Sequence, residues 1–322
     1  MSKSRRAFTL GTLAVLASGG RAVAQGSTAP LRIVVPFPPG GSTDIFAREL
    51  EQPFRNALGR AVSVENKSGA GGAIALREVA RSPADGSVLL VSNNASSVIV
   101  PLVQKDAGFD PISDFTPVVG LGRSAMVLIA NARLPVSDVR QLIAYAKGRP
   151  EGVTSGSGGV GNLGHLAAVL FGQLTGARIL HVPYRGQSPL LMATVTGEVQ
   201  IAFTSASDAM FAFIKNGQLK LLGTGSTEPM TVLPGGVPIA RTVPGFSADV
   251  WQGLFAPSKM NPTIVKQFNQ IVTKMLSDPE VKKRFADAGF ETWPASPEQF
   301  SDVVAADVRR WKPVVDQAGI RA

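Results

Sequence analysis

Two glycine-rich loops, each set between a strand-like run and a helical pattern, constrain this chain more than any other feature. The first, Pro36-Phe37-Pro38-Pro39-Gly40-Gly41-Ser42-Thr43-Asp44, follows the apolar run Leu31–Val35. It precedes a helix whose apolar positions Ile45, Phe46, Leu50, Phe54 and Leu58 recur at helical spacing and whose end is marked by Gly59. The second, from Thr154 to His165, follows Val153-Thr154-Ser155 and also opens a helix. Glycines at such junctions let the backbone approach a ligand closely, and the unpaired N–H groups of a helix start favour an anion. The ordinary alternative is a capped turn, with Asp44 serving only its helix terminus.

The rest of the chain repeats this alternation. Val62-Ser63-Val64 and Val88–Val91 read as strands with a helix between them after Ser68–Gly72, a βαβαβ order that predicts parallel strands. A second set begins at Met126–Ile129 and continues with strands at 153–155, 179–182, 199–203 and 219–222. Val250–Phe255 is a further strand, and the chain from Pro262 onward reads as mainly helical. The length of 322 residues suits two α/β lobes rather than one core. Ligands of such sheets bind beyond the carboxyl ends of the strands, so the expected site is a cleft between lobes.

Residues 1–24 read as an export signal. Lys3, Arg5 and Arg6 precede an apolar run from Phe8 to Ala17, and Ala22-Val23-Ala24 offers small residues for cleavage. The run is shorter than the ~20 residues a membrane span needs. Ser4–Leu10 also resembles a twin-arginine signal. Removing Lys3, Arg5, Arg6 and Arg21 takes the net charge from +9 to +5, and the remaining basic residues are scattered. That argues against nucleic acid as a partner, while a mild positive field helps attract anions.

Few catalytic arrangements fit. With no cysteine, only His165 and His181, and no H-E-x-x-H, no metal site is expected. Neither a nucleophile elbow nor a P-loop is present. Gly156, Gly158 and Gly161 spell G-x-G-x-x-G, but a dinucleotide site wants an acid about 20 residues on. The first acid after Gly161 is Glu198, so no cofactor is expected. Arg185, after a strand, is either a forked partner for a carboxylate or a solvated arginine. Thr204 and Ser205 sit at a strand end as ligand donors or helix caps. Trp251 either lines the cleft or packs at the hinge.

Taken in order, the motifs resemble the solute receptors of tripartite tricarboxylate transporters, the Bug family. They include Pro36-Phe37-x-x-Gly40-Gly41-x-x-Asp44-x-x-Ala47-Arg48, Asn66-Lys67-x-Gly69-Ala70-Gly71-Gly72 and Phe109-Asp110-Pro111-x-x-Asp114-Phe115-Thr116-Pro117-Val118. Ser157-x-Gly159-x-Gly161-x-x-x-His165-Leu166, His181–Gly186, Trp251-x-Gly253–Pro257 and Trp311-x-x-Val314-Val315-x-x-Ala318-Gly319-Ile320 complete the set. The resemblance implies an α/β, two-lobed, type II-like periplasmic binding-protein fold. Each lobe would be a mainly parallel sheet flanked by helices, with two crossover strands. Lobe one would span 25–125 and 249–322, and lobe two 126–248. It implies a monomeric periplasmic receptor that captures a small carboxylate and hands it to a two-part membrane permease. The resemblance implies contacts at Gly40, Gly41, Ser42 and Thr43 from lobe one and at Ser157, Gly161 and Asn162 from lobe two. Phe37, Asn94, Ser96, Gly159, Arg185, Thr204 and Trp251 complete the candidate binding residues. Asn162 stands where the family usually has Ser or Thr, and Thr204 where many members have Asp. The second departure implies a ligand without an ammonium group. The rival readings are an exported hydrolase using a cleft serine and a sensor that docks on a signalling protein.

Overall fold

The computed structural model describes residues 28–321, so the export signal assigned to 1–24 lies outside the described residues. In chain order the first elements are β1 (Leu31–Val35), α1 (Ser42–Leu58), β2 (Val62–Asn66), α2 (Ala73–Ala80), β3 (Val88–Asn93), α3 (Val100–Val103) and β4 (Phe115–Asn131). Next come α4 (Val139–Lys147), β5 (Val153–Ser157), α5 (Leu163–Thr175), β6 (Ile179–Pro183), α6 (Gln187–Thr196), β7 (Ile201–Ser205), α7 (Asp208–Lys215) and β8 (Leu219–Thr224). The chain closes with β9 (Asp249–Pro257), α8 (Pro262–Leu276), α9 (Pro279–Asp287), β10 (Glu291–Thr292) and α10 (Pro297–Gln317).

The expected βαβαβ unit is present: β1 pairs in parallel with both β2 and β3. The second set gives parallel pairing of β5 with β6 and β7. The connection between them departs from the sequence reading. The strand expected at Met126–Ile129 is the second part of a seventeen-residue strand that begins at Phe115. From Phe115 to Ala125, β4 runs antiparallel to β9, which itself runs antiparallel to β3. From Met126 onward it pairs instead with β7 and β8, also antiparallel. Each lobe's parallel core is thus finished by antiparallel strands, and one strand serves both sheets. Pro117, Gly120 and Gly122 hide its first half from a propensity reading, since all are strand breakers. The pairing accommodates them by shifting register between Pro117 and Val119 and again between Gly120 and Gly122. Gly122 is also a close approach: a β-carbon there would lie 2.5 Å from the Phe46 ring of α1.

Apolar alternation on β9 drives the packing at this crossing. Trp251, Phe255 and Phe300 are all buried, with the Trp251 and Phe300 rings edge-to-face at 5.1 Å and the Phe255 and Phe300 rings 4.8 Å apart. The same cluster continues through Trp311 of α10 to Phe171, Phe203 and Phe246, so α10 ties the two sheets together. Of the two placements expected for Trp251, the structure gives packing. The residue is 2% exposed, and its Nε1 donates to Asp307 Oδ2 at 2.8 Å, which removes the ring from any ligand surface. Asp307 is buried as well and takes a second hydrogen bond from Arg310 on Oδ1 at 2.6 Å.

Removing that carboxylate strands a buried indole N–H and leaves Arg310 without its acid. Asp307→Leu is expected to lose about 2–3 kcal/mol of unfolding free energy. Asp307→Asn keeps an acceptor for Trp251 and should lose less. Urea denaturation followed by tryptophan fluorescence measures both, and equal losses would show that the indole bond contributes nothing.

Candidate functional site

Lobe one presents the start of α1 at the carboxyl end of β1. Gly41 is the cap residue, and no side chain caps the helix. The backbone N–H groups of Gly41, Ser42 and Thr43 find no acceptor among the described residues. Gly40 differs, because its N–H donates to Asp44 Oδ2 at 3.0 Å, which corrects the expectation that it is open to a ligand. Asp44 is buried in the first turn, where a carboxylate offsets the positive end of the helix dipole. Burial works to raise its carboxyl pKa. Hydrogen bonds from Arg48 Nε (2.8 Å), Gly40 N and Asn66 Nδ2 (2.9 Å) outweigh burial and hold it below the ordinary value. Asn66 also donates to the Phe37 carbonyl at 3.0 Å, fixing the loop, while the Phe37 ring packs against the lobe-one core.

Beneath Ser42 and Thr43 lies a polar network that sequence reasoning missed. Thr43 Oγ1 donates to Gln252 Oε1 at 3.1 Å, and Gln252 Nε2 donates to Ser42 Oγ at 3.3 Å. Gln252 belongs to β9 and is paired across the sheet with Asn93 of β3. The signal was a glutamine inside the otherwise apolar run Val250–Pro257, pointing to the face opposite Trp251. Asn94 and Ser96 are both buried and serve the protein itself. Asn94 Nδ2 donates to the Asp249 carbonyl at 2.7 Å, and Ser96 Oγ donates to the Gly71 carbonyl at 2.7 Å.

In lobe two, the start of α5 lies at the carboxyl end of β5. Asn162 caps it, its Oδ1 accepting from His165 N at 2.9 Å. The other end of that amide faces Gly158, where an added β-carbon would sit 2.9 Å from Nδ2. Asn162 therefore caps with its oxygen and offers its nitrogen to the cleft. A cavity of about 200 Å³ opens here, lined by Met126, Gly158, Asn162, Gly186, Gln187, Leu190, Phe203, Thr204 and Ser205. None of these side chains is ionisable. Gln187, also missed by sequence reasoning, reaches from α6 to β7. Its Nε2 donates to the Ser205 carbonyl at 2.7 Å and to Thr204 Oγ1 at 3.3 Å. Arg185 is exposed beside this cavity in sequence but does not line it. A larger groove of about 650 Å³ between α1, α8 and α9 contains none of the expected site residues.

Ser157 and Gly161 turn inward. Ser157 is fully buried, with Oγ 2.9 Å from the Gly159 carbonyl and 2.6 Å from His181 Nε2. The Gly159 N–H points back to the same hydroxyl at 3.3 Å. The Gly161 N–H donates to His165 Nδ1 at 3.1 Å. The two imidazoles stack, with centroids 3.5 Å apart and planes 11° from parallel. Loop, stack and strand thus form one unit that rigidifies the start of α5. Gly161 itself packs toward Val103 of α3 and Ile320, so this lobe-two loop reaches the elements that follow β3 in lobe one.

The arrangement defines a class: a two-lobed binding fold whose lobe-one helix start leaves the N–H groups of Gly41, Ser42 and Thr43 uncommitted and whose lobe-two cavity is lined by neutral side chains. The chain belongs to the tripartite tricarboxylate transporter family receptors, whose family model matches residues 46–320. It is therefore a solute-binding receptor of the periplasmic binding-protein type. It is 33% identical over 294 residues to Protein BugT of Bordetella pertussis, covering 91% of this chain and 90% of that protein. Among solved structures it is similar to Rpa4515 of R. palustris with adipate, at 31% identity and a TM-score of 0.72, covering 91% and 98% of the two chains. MatC from Rhodopseudomonas palustris with bound malate gives 29% identity and a TM-score of 0.68, with 89% and 98% covered.

The stacked histidines generate a pH dependence. Burial, and secondarily His181, lowers His165 to about 4 from an ordinary 6.5; burial also lowers His181. A depressed histidine lets the unfolded chain take up protons first. Stability is therefore lost as pH falls below about 6.5, and the loss levels off near the folded value. Asp307, raised by burial to about 6, acts in the opposite sense, so the parent's net slope mixes the two. His165→Asn retains an acceptor for Gly161 and removes the titration. Between pH 6.5 and 4.5 it should lose about 1–2 kcal/mol less than the parent. Denaturant unfolding at several pH values checks this, and parallel curves would contradict it.

Proposed function

We propose that the chain is an exported periplasmic receptor that captures a small carboxylate between its lobes and delivers it to a two-part membrane permease. The observation that carries this reading is the pair of glycine-rich helix starts, one per lobe. The uncommitted N–H groups of Gly41, Ser42 and Thr43 in lobe one are joined by the Ser42 hydroxyl and, in lobe two, by the Asn162 amide, with no acid lining the lobe-two cavity. Such donors suit an acceptor-only anion, and helix starts add favourable potential. The adipate and malate in the two related structures are small dicarboxylates, in keeping with that chemistry. Among the described residues, no helix is long and apolar enough to cross a membrane, which accords with a receptor held outside the bilayer by no span of its own there.

The division into lobe one, 25–125 with 249–322, and lobe two, 126–248, is supported by the partner change of β4 between Ala125 and Met126. Capture follows from geometry without a chemical step. A ligand touching both loops has its full set of contacts only when the lobes are closed, so it biases the closed form that the permease reads. Thr204 in place of an acid leaves this cavity without a partner for an ammonium group. The ligand is accordingly a carboxylate without one. A micromolar ligand corresponds to about −8 kcal/mol, within reach of several charge-assisted hydrogen bonds.

A hydrolase reading draws on the 2.6 Å contact of Ser157 with His181. The serine is fully buried, and no carboxylate orients His181 among the described residues. A receptor returns its ligand unchanged, so chromatography of the ligand after incubation separates the two readings.

Thermal unfolding of residues 25–322 against malate, succinate, adipate, citrate, aspartate, glutamate and benzoate tests the proposal. A ligand at 100 times its Kd should add about 2.7 kcal/mol, a shift of several degrees in Tm. A shift with a des-amino acid and none with its amino counterpart is expected. Tight binding of aspartate without succinate or malate would overturn the ammonium argument, and no shift with any acid would overturn the carboxylate reading.

A further inference from the structure

The hydrogen bonds under α1 have a direction, and that direction can be traced from a fixed end. Ser96 N–H is a backbone donor and donates to Asn93 Oδ1 at 3.0 Å. The oxygen end of Asn93 is thereby committed, and its Nδ2 faces Thr43 Oγ1 at 3.5 Å, a long contact in which the amide nitrogen can only donate. Thr43 has one hydroxyl hydrogen, and it goes to Gln252 Oε1 at 3.1 Å. That orients the Gln252 amide, whose Nε2 then donates to Ser42 Oγ at 3.3 Å. Thr43 and Gln252 are 3% and 1% exposed, so water does not compete for these groups, and a reversed amide would leave the buried Thr43 hydroxyl hydrogen without an acceptor. Ser42, half-buried at the cleft, receives a hydrogen bond from beneath and has no acceptor for its own hydrogen among the described residues.

We propose that Asn93, Thr43 and Gln252 form a one-way relay that fills one lone pair of the Ser42 oxygen and leaves its hydrogen for the ligand, so that lobe one favours an acceptor group such as an ionised carboxylate. This rests on the carboxylate reading above and deepens it. Thr43 and Gln252 are positioning residues in the relay: their side chains act through Ser42. The sequence reading placed the Thr43 hydroxyl among the ligand donors, whereas the relay spends its hydrogen on Gln252.

The test has two arms. In the first, affinities of whichever panel acid shifts the parent's Tm are measured by calorimetry for Ser42→Ala, Thr43→Val, Thr43→Ser and the double variant Ser42→Ala/Thr43→Val. Ser42→Ala should weaken binding about 10- to 100-fold. Thr43→Val should weaken it about 3- to 10-fold by freeing the Gln252 amide to turn, and Thr43→Ser should restore it. In the Ser42→Ala background, Thr43→Val should cost nothing more, because its effect runs through the missing hydroxyl. An equal loss in both backgrounds overturns the relay.

The second arm needs no ligand. Thr43→Val and Gln252→Met should each lower the Tm of the unliganded protein by a few degrees, and the double variant should lose less than the sum. Ser42→Ala should lower Tm less than either, because Ser42 is half-buried and water can take the place of its oxygen. Additive losses overturn the relay even if no acid in the panel binds. Non-additive losses with no acid bound uphold the relay and place the failure in the carboxylate reading.

Discussion

The antiparallel pairing of β4 with β9 is the interaction on which the remaining structure depends. It runs from Phe115 opposite Pro257 to Ala125 opposite Asp249, and immediately beyond it β4 passes into the other sheet. Each lobe's parallel βαβ unit is bordered by antiparallel strands, and one long strand belongs to both sheets. The face of β9 that carries Trp251 and Phe255 supplies the burial, and α10 covers it with Phe300 and Trp311. The opposite face carries Gln252 to the start of α1. A single strand thus holds the core on one side and orders the binding hydroxyls on the other.

The proposed site offers an anion neutral donors rather than an arginine or lysine. Placing a cation in the cleft would bring the cost of desolvating that charge whenever the cleft closes empty. Helix starts and neutral donors avoid this cost, since their dipoles are fixed by the fold and need no counterion. The two lobes do so differently. Lobe one sets Asp44 inside the first turn, which consumes the Gly40 N–H and leaves the next amides open. Lobe two uses a neutral amide, Asn162, and closes its loop with the histidine stack. The stack is neutral at ordinary pH because burial disfavours either imidazolium, and two charges 3.5 Å apart would repel.

Much of this was readable in advance because it depends on local periodicity and local chemistry. The alternation of apolar runs with helical spacing and the glycines at strand-to-helix junctions settled the α/β class, the parallel units and the position of both loops. What failed was wherever a side chain's partner lay far away in sequence. Ser157 looked like a ligand donor because it precedes a helix start, yet it is buried, with its hydroxyl donating to the Gly159 carbonyl and in contact with His181 on the neighbouring strand. Asn94 and Ser96 read as cleft residues, but their partners are backbone carbonyls at 249 and 71. Gln252 and Gln187 passed unnoticed because nothing within a few residues of either says what it will touch.

By itself the sequence determined which segments form helices and strands and where anion-ready helix starts fall, since hydrophobic period and glycine placement act over a few residues. Only the tertiary structure decided that β4 is one strand across two sheets, because Pro117, Gly120 and Gly122 are tolerated through register shifts that exist only once β9 is alongside. It also decided which hydroxyls face the cleft and which are consumed inside. A hydroxyl has one hydrogen to give, and its destination depends on an acceptor that folding brings from some two hundred residues away, as it does for Thr43 and Gln252.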